Sequence, residues 1–173
     1  MKKIFFLFAL VAFVTIARAQ QTGFIKGFHF GAGVNAALPI GDFSDSHSFG
    51  VGAEFQAEYS MLEKLSLFGS AGYTNFFGKK IDGVEGESYK IDNVGLIPVM
   101  AGARFYPTPK FFVGGKLGVG ILTGGGDSET AFTYQPQVGY NAEKFQVNLG
   151  LNSISQESVT FSNLSLTFLY KIK

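Results

Sequence analysis

The sequence predicts an all-β protein, an eight-stranded antiparallel up-and-down transmembrane β-barrel. Three observations carry that prediction. Apolar residues recur at period two from residue 24 onward, and no window shows a 3.6-residue apolar stripe. The residues between them are mostly Gly, Ser, Asn and Gln rather than the Lys and Glu of a water-facing surface. Tight turns alternate with longer polar loops, as in outer-membrane barrels.

The opening segment stands apart from the fold. Met1-Lys2-Lys3 is cationic, Ile4 to Ile16 is apolar apart from Thr15, and Ala17-Arg18-Ala19 places small residues where a signal peptidase reads. Residues 1–19 are therefore expected to be a cleaved secretory signal, too short for a spanning helix. Residues 20–173 are expected to form one barrel domain. Removing Lys2, Lys3 and Arg18 leaves 11 basic residues against 13 acidic ones, a charge of −2.

The strands follow in order. Phe28 to Leu38 places Phe28, Phe30, Val34 and Leu38 on one face, and His29, Gly31, Gly33 and Asn35 on the other. Phe49 to Met61 separates Phe49, Val51, Phe55 and Tyr59 from Glu54, Gln56 and Glu58. Leu65–Phe77 and Ile91–Tyr106 are noisier candidates. Phe111 to Ile121 sets Val113, Leu117 and Val119 against Gly114, Lys116 and Gly118. Phe132 to Tyr140 opposes Tyr134 and Val138 to Gln135 and Gln137, and Phe145 to Leu151 opposes Val147 and Leu149 to Gln146 and Asn148. Val159–Ile172 completes the set, with a phase change near Ser162 that suggests a bulge. Met61–Lys64, Pro107–Lys110 and Asn141–Lys144 read as tight turns. Pro39–Ser48, Gly78–Lys90 and Gly124–Thr130 read as long loops, and Ser155–Ser158 as a short one. No helix is required.

Two barrels fit such strands. A soluble ligand-binding barrel turns its apolar face inward; a membrane barrel turns it to lipid. The sparsely charged polar face favours the second, since a crowded lumen suits small residues and amides. Aromatics also gather at strand ends. Tyr59, Phe105, Tyr106, Phe111, Tyr140, Phe145 and Tyr170 lie near the short turns or the C-terminus, while Phe43, Phe49, Phe76, Phe77, Tyr89, Phe132 and Phe161 lie near the long loops. These read as two interfacial girdles.

Composition excludes several function classes. Of 173 residues, 46% are apolar and 16% charged, against about 25% charged in soluble domains. High apolar content with a net charge of +1 excludes disorder. The absence of Cys excludes disulfides, thiolate metal sites, a cysteine nucleophile and a lipidated N-terminal cysteine. No basic run exceeds Lys79-Lys80, which argues against nucleic acid.

The stretch from Gly95 to Gly120, containing Pro98, Arg104, Phe105, Tyr106 and Lys116, resembles the central hairpin of the outer-membrane β-barrel domain family, the small PorT-like and OmpX-like barrels. Gly31-Ala-Gly33-Val-Asn35 is similar to their first strand. Leu166-Thr-Phe168-Leu-Tyr170 is similar to the terminal strand that barrel-assembly machinery recognises. The resemblance implies an outer-membrane location and leaves the activity open.

Charges on the polar faces are the residue-level signal. An eight-stranded barrel is only wide enough to be filled by side chains, and an isolated charge there would cost several kcal/mol. Glu58 is expected to pair with Arg104 and Glu54 with Lys116, with Gln56, Gln137, Asn148, His29 and Asn35 completing a lumen network. Asp45-Ser46-His47-Ser48 holds hydrolase residue types, but adjacency is not triad geometry. The long loops are acidic, with Asp42, Asp45, Asp82, Glu85, Glu87, Asp92, Asp127, Glu129 and Glu157 facing Lys79, Lys80 and Lys90, and lack calcium-loop spacing.

The expectation is a monomeric, non-enzymatic barrel with a plugged lumen and a structural or interaction role. It needs no metal or cofactor, and its partners are outer-membrane lipid, lipopolysaccharide and the assembly machinery. The alternatives are a narrow porin-like channel for small solutes, a lipid-modifying outer-membrane enzyme, and a soluble periplasmic barrel.

Overall fold

The computed structural model describes residues 27–82, 88–156 and 159–172. The signal segment expected at residues 1–19, and the loop acids Glu85, Glu87 and Glu157, lie outside the described residues. Among the described residues, ten strands and one short helix are present: β1 Gly27–Ile40, α1 Phe43–Ser46, β2 His47–Leu62, β3 Leu65–Gly78, β4 Lys80–Asp82, β5 Ser88–Lys90, β6 Val94–Thr108, β7 Phe111–Gly124, β8 Asp127–Asn141, β9 Phe145–Gln156 and β10 Val159–Ile172.

Eight strands close into a barrel in the order β1-β10-β9-β8-β7-β6-β3-β2, every pair antiparallel. Closure removes every edge of the barrel sheet, which lipid requires because unpaired backbone groups cost several kcal/mol there. The barrel strands run 12 to 16 residues, longer than the about 9–11 that a membrane needs.

Period two becomes a two-sided wall. Phe28, Val34, Val51, Phe55, Leu117, Val138 and Leu166 point outward and are exposed. Glu54, Gln56, Glu58, Arg104, Lys116, Gln137 and Asn148 point inward and are buried. A particle in water would have the reverse arrangement, so the soluble reading falls. Phe28–Tyr59, Phe111–Tyr140 and Phe145–Phe168 form outward ring pairs.

Several local expectations are corrected. Pro39–Ser48 contains the one-turn helix α1 rather than loop alone. Gly78–Lys90 contains the antiparallel hairpin β4–β5, with Lys80 opposite Lys90. Gly124–Thr130 is not a long loop: pairing continues to Gly124–Asp127, and the chain turns on Gly125 and Gly126, whose φ values of +63° and +94° suit glycine. No bulge occurs at Ser162, because β9 and β10 pair in unbroken register from Val159 to Tyr170. What changes there is chemistry, since Phe161 shares the inward parity of Asn163, Ser165 and Thr167.

The girdles are corrected too. Tyr106, Phe43 and Phe76 are buried inside rather than lying at the lipid interface. Phe43 packs on Phe76 at 5.0 Å and on the half-buried Phe161 at 5.5 Å between ring centres. With Ala37, Leu96, Ala131 and Ile154 they form an apolar layer across the long-loop mouth. Tyr89 sits on the hairpin, outside the barrel wall.

Candidate functional site: the filled lumen

Below the apolar mouth, most of the buried inward side chains are polar. Strand register sets which side chains share a depth. Glu58 lies opposite Phe68, Ser66 opposite Arg104, and Arg104 opposite Gly114, so β2, β3, β6 and β7 bring these residues to one layer near the short turns.

Arg104 is the centre of that layer and is fully buried. Its Nη1 donates to Glu58 Oε2 at 2.7 Å and to Gln146 Oε1 at 3.1 Å, and its Nη2 donates to Gln56 Oε1 at 2.7 Å. Gln137, its amide oxygen turned to the guanidinium, accepts from Nε at 3.2 Å and Nη2 at 3.3 Å. The rings of Phe68 and Phe112 lie 3.8 and 4.6 Å from the guanidinium carbon, a cation–π geometry. Glu58 is equally saturated: Oε2 also accepts from Gln56 Nε2 at 3.2 Å, and Oε1 accepts from the Tyr106 hydroxyl at 2.6 Å. This satisfaction is what makes a buried ion pair tolerable.

A second pair lies nearer mid-barrel. Lys116 Nζ donates to Glu54 Oε2 at 2.9 Å and to Ser70 Oγ at 3.1 Å. The two pairs add no net charge to the lumen. Glycines make the room: a methyl on Gly139 would run into the Phe112 ring, and one on Gly150 into the Gln135 amide. Between Lys116 and the apolar mouth lies a cavity of about 20 Å³.

The family model described as outer membrane protein beta-barrel domain matches residues 6–171. This chain belongs to that family. It is a small outer-membrane β-barrel protein, located in the outer membrane. No curated protein matches it significantly. Solved structures resemble it in fold. Ail, the attachment invasion locus protein of Yersinia pestis, aligns with a TM-score of 0.58 at 16% identity, over 86% of this chain and 100% of that one. Neisserial surface protein A aligns with a TM-score of 0.54 at 15% identity, over 84% of this chain and 96% of that one. OprG from Pseudomonas aeruginosa aligns at 0.50 with 14% identity, over 84% of this chain and 95% of that one.

Within this outer-membrane barrel, the residues expected in the lumen separate into groups. Glu58, Arg104, Gln56 and Gln137 meet in one layer, and Glu54 meets Lys116 in another. Asn35 accepts from Thr74 Oγ1 at 3.1 Å and makes no hydrogen bond to either ion pair. His29 and Asn148 join no network; Nδ1 of His29 and both amide atoms of Asn148 have no partner among the described residues. Gln146, Tyr106, Ser70, Phe68 and Phe112 join these layers without being expected there from the sequence. Parity alone places Tyr106 beside Arg104 on the inward face, which was the available signal.

The Asp45-Ser46-His47-Ser48 segment lies at the long-loop rim. Ser46 Oγ and His47 Nδ1 are 2.8 Å apart, and His47 Nε2 has no partner among the described residues. Asp45 is exposed and makes no hydrogen bond to the ring among the described residues. Among the described residues, no cluster of three His, Asp or Glu could hold a metal ion.

Proposed function

We propose that this barrel is a non-enzymatic outer-membrane scaffold with a closed lumen, whose long-loop end makes contacts with envelope partners. The observation that carries the reading is the Arg104 layer. Its guanidinium, two aromatic rings, a carboxylate and three glutamine amides occupy the cross-section near the short turns. A route for solute would have to break an ion pair and several charge-assisted hydrogen bonds at once.

The protein works as a monomer, because its outward band already meets acyl chains and its barrel strands have no free edge. Its partners are membrane lipid and lipopolysaccharide, with assembly machinery reading the β10 terminus. The test is conductance in planar bilayers. The folded protein should give no steady conductance on the scale of an open porin, and such a conductance would overturn the reading. Enzymatic activity has its own test. Loss of a lipid A modification from isolated membranes on His47→Ala would remove "non-enzymatic" from the proposal.

A narrow channel for water-sized solutes is the second reading. The polar inward faces and the mid-barrel cavity favour it, and liposome swelling with small solutes separates the two.

A further inference from the structure

The cavity between Lys116 and the apolar mouth has an unusual wall. Glu54, Asn152 and Asn163 belong to its lining, together with Asn35, Phe76 and Leu96. Glu54 Oε1, Asn152 Oδ1 and Asn163 Nδ2 are buried polar atoms with no partner among the described residues. Their residues are 7%, 6% and 1% exposed. Two acceptors and one donor are complementary to a water molecule, which gives two protons and accepts one. A site of about 20 Å³ is large enough for one water, and a buried water needs two to four polar partners.

Glu54 and Lys116 line the cavity on its inner side, and Ala37, Phe76 and Leu96 of the apolar layer line it toward the mouth, with Phe43 packed on Phe76. Every buried member of that layer except Phe43 stands on a barrel strand. Phe43 stands on α1, a helix of four residues whose preceding Asp42 gives no side-chain cap. The chain enters α1 through Gly41, at a φ of +62°. A single turn is not stable by itself, so α1 is held by what it touches. Phe43 touches Phe76, Phe161 and His47. Lys79, at the foot of the β4–β5 hairpin, holds the helix from outside. Its Nζ donates to Ser44 O at 2.5 Å and its backbone N–H to Ser46 O at 2.9 Å. Elements with few contacts on a rigid frame open first.

We propose that the cavity is a buried hydration site and that α1 is its port to the exterior, with Phe43 as stopper and Lys79 as latch. This goes beyond the scaffold reading and rests on it only for the closed inner end. The lumen is then a dead-end chamber that exchanges water at the loop side while passing nothing through. Conductance tests the inner closure, and the experiment below tests the outer one, so either can fail alone.

The chain contains no cysteine, so Asn152→Cys gives a single reporter on the cavity wall. The protein folded in nanodiscs is treated with a small methanethiosulfonate reagent. Labelling should be slow in this background, at least tenfold faster with Lys79→Ala added, and slow again with Lys79→Arg, which keeps a donor. Equal rates with Lys79 and Lys79→Ala would overturn the latch and the port. Phe43→Ala should label fastest, and protection in that variant would also overturn the port. The hydration site has a separate readout that needs no substitution. Water-to-amide NMR cross-peaks should appear at residues 54, 152 and 163 of the unsubstituted protein, and their absence would overturn the site.

Discussion

Replacing Arg104 with Met should be among the most damaging single substitutions in this barrel. Met occupies much of the same volume and can still pack against Phe68 and Phe112, so the change isolates charge and hydrogen bonding. It removes the bonds to Glu58, Gln146 and Gln56 and leaves the Glu58 carboxylate, 7% exposed, without its counter-charge. Removing one partner of a buried ion pair costs about 3–5 kcal/mol. That corresponds to a hundredfold or greater rise in the unfolded fraction, at about 1.4 kcal/mol per decade. Adding Glu58→Gln removes the stranded charge, while its amide oxygen can still accept from the Tyr106 hydroxyl. The double variant should therefore recover about 2 kcal/mol or more relative to Arg104→Met alone, a coupling of the size that contacting residues show. The assay is reversible denaturant unfolding in lipid vesicles for the parent, both single variants and the double. An Arg104→Met cost below about 1 kcal/mol, or strictly additive single costs, would refute the argument that this pair is desolvated and mutually dependent.

Two further substitutions probe the wall itself. Leu117→Arg places a charge at the middle of β7 on the outward face. It should cost about 2–4 kcal/mol in vesicle unfolding, whereas Tyr89→Arg on the exposed hairpin should leave stability within about 0.5 kcal/mol. Gly139→Val overfills the space beside the Phe112 ring and should cost about 1–3 kcal/mol. This is read as a lower temperature at which the folded band is lost from unboiled gels.

The two faces and the eight barrel strands were legible in the sequence, because a pleated strand alternates its side chains, whereas the short β4–β5 hairpin was not. The two ion pairs were legible for a related reason. Four charges on the inward faces of a narrow barrel have no solvent to share and must find each other. The exterior aromatics were only partly legible. Distance from a turn points to the interface for Tyr106, Phe43, Phe76 and Phe161, yet parity and α1 turn them inward. Composition cannot distinguish an aromatic at headgroup depth from one that plugs a mouth.

Local alternation determined that this chain has a greasy wall and a polar lining, and hence that a membrane barrel could accommodate it. Closure and register decided the rest. Residues as remote as Glu58, Arg104 and Gln146 share one layer only because eight strands pair at particular offsets. The seating of Phe43 in the barrel mouth and the latch on Lys79 depend on how two connections fold over that closed rim. Period two is a property of each strand alone, whereas depth and contact within the lumen belong to the ring as a whole.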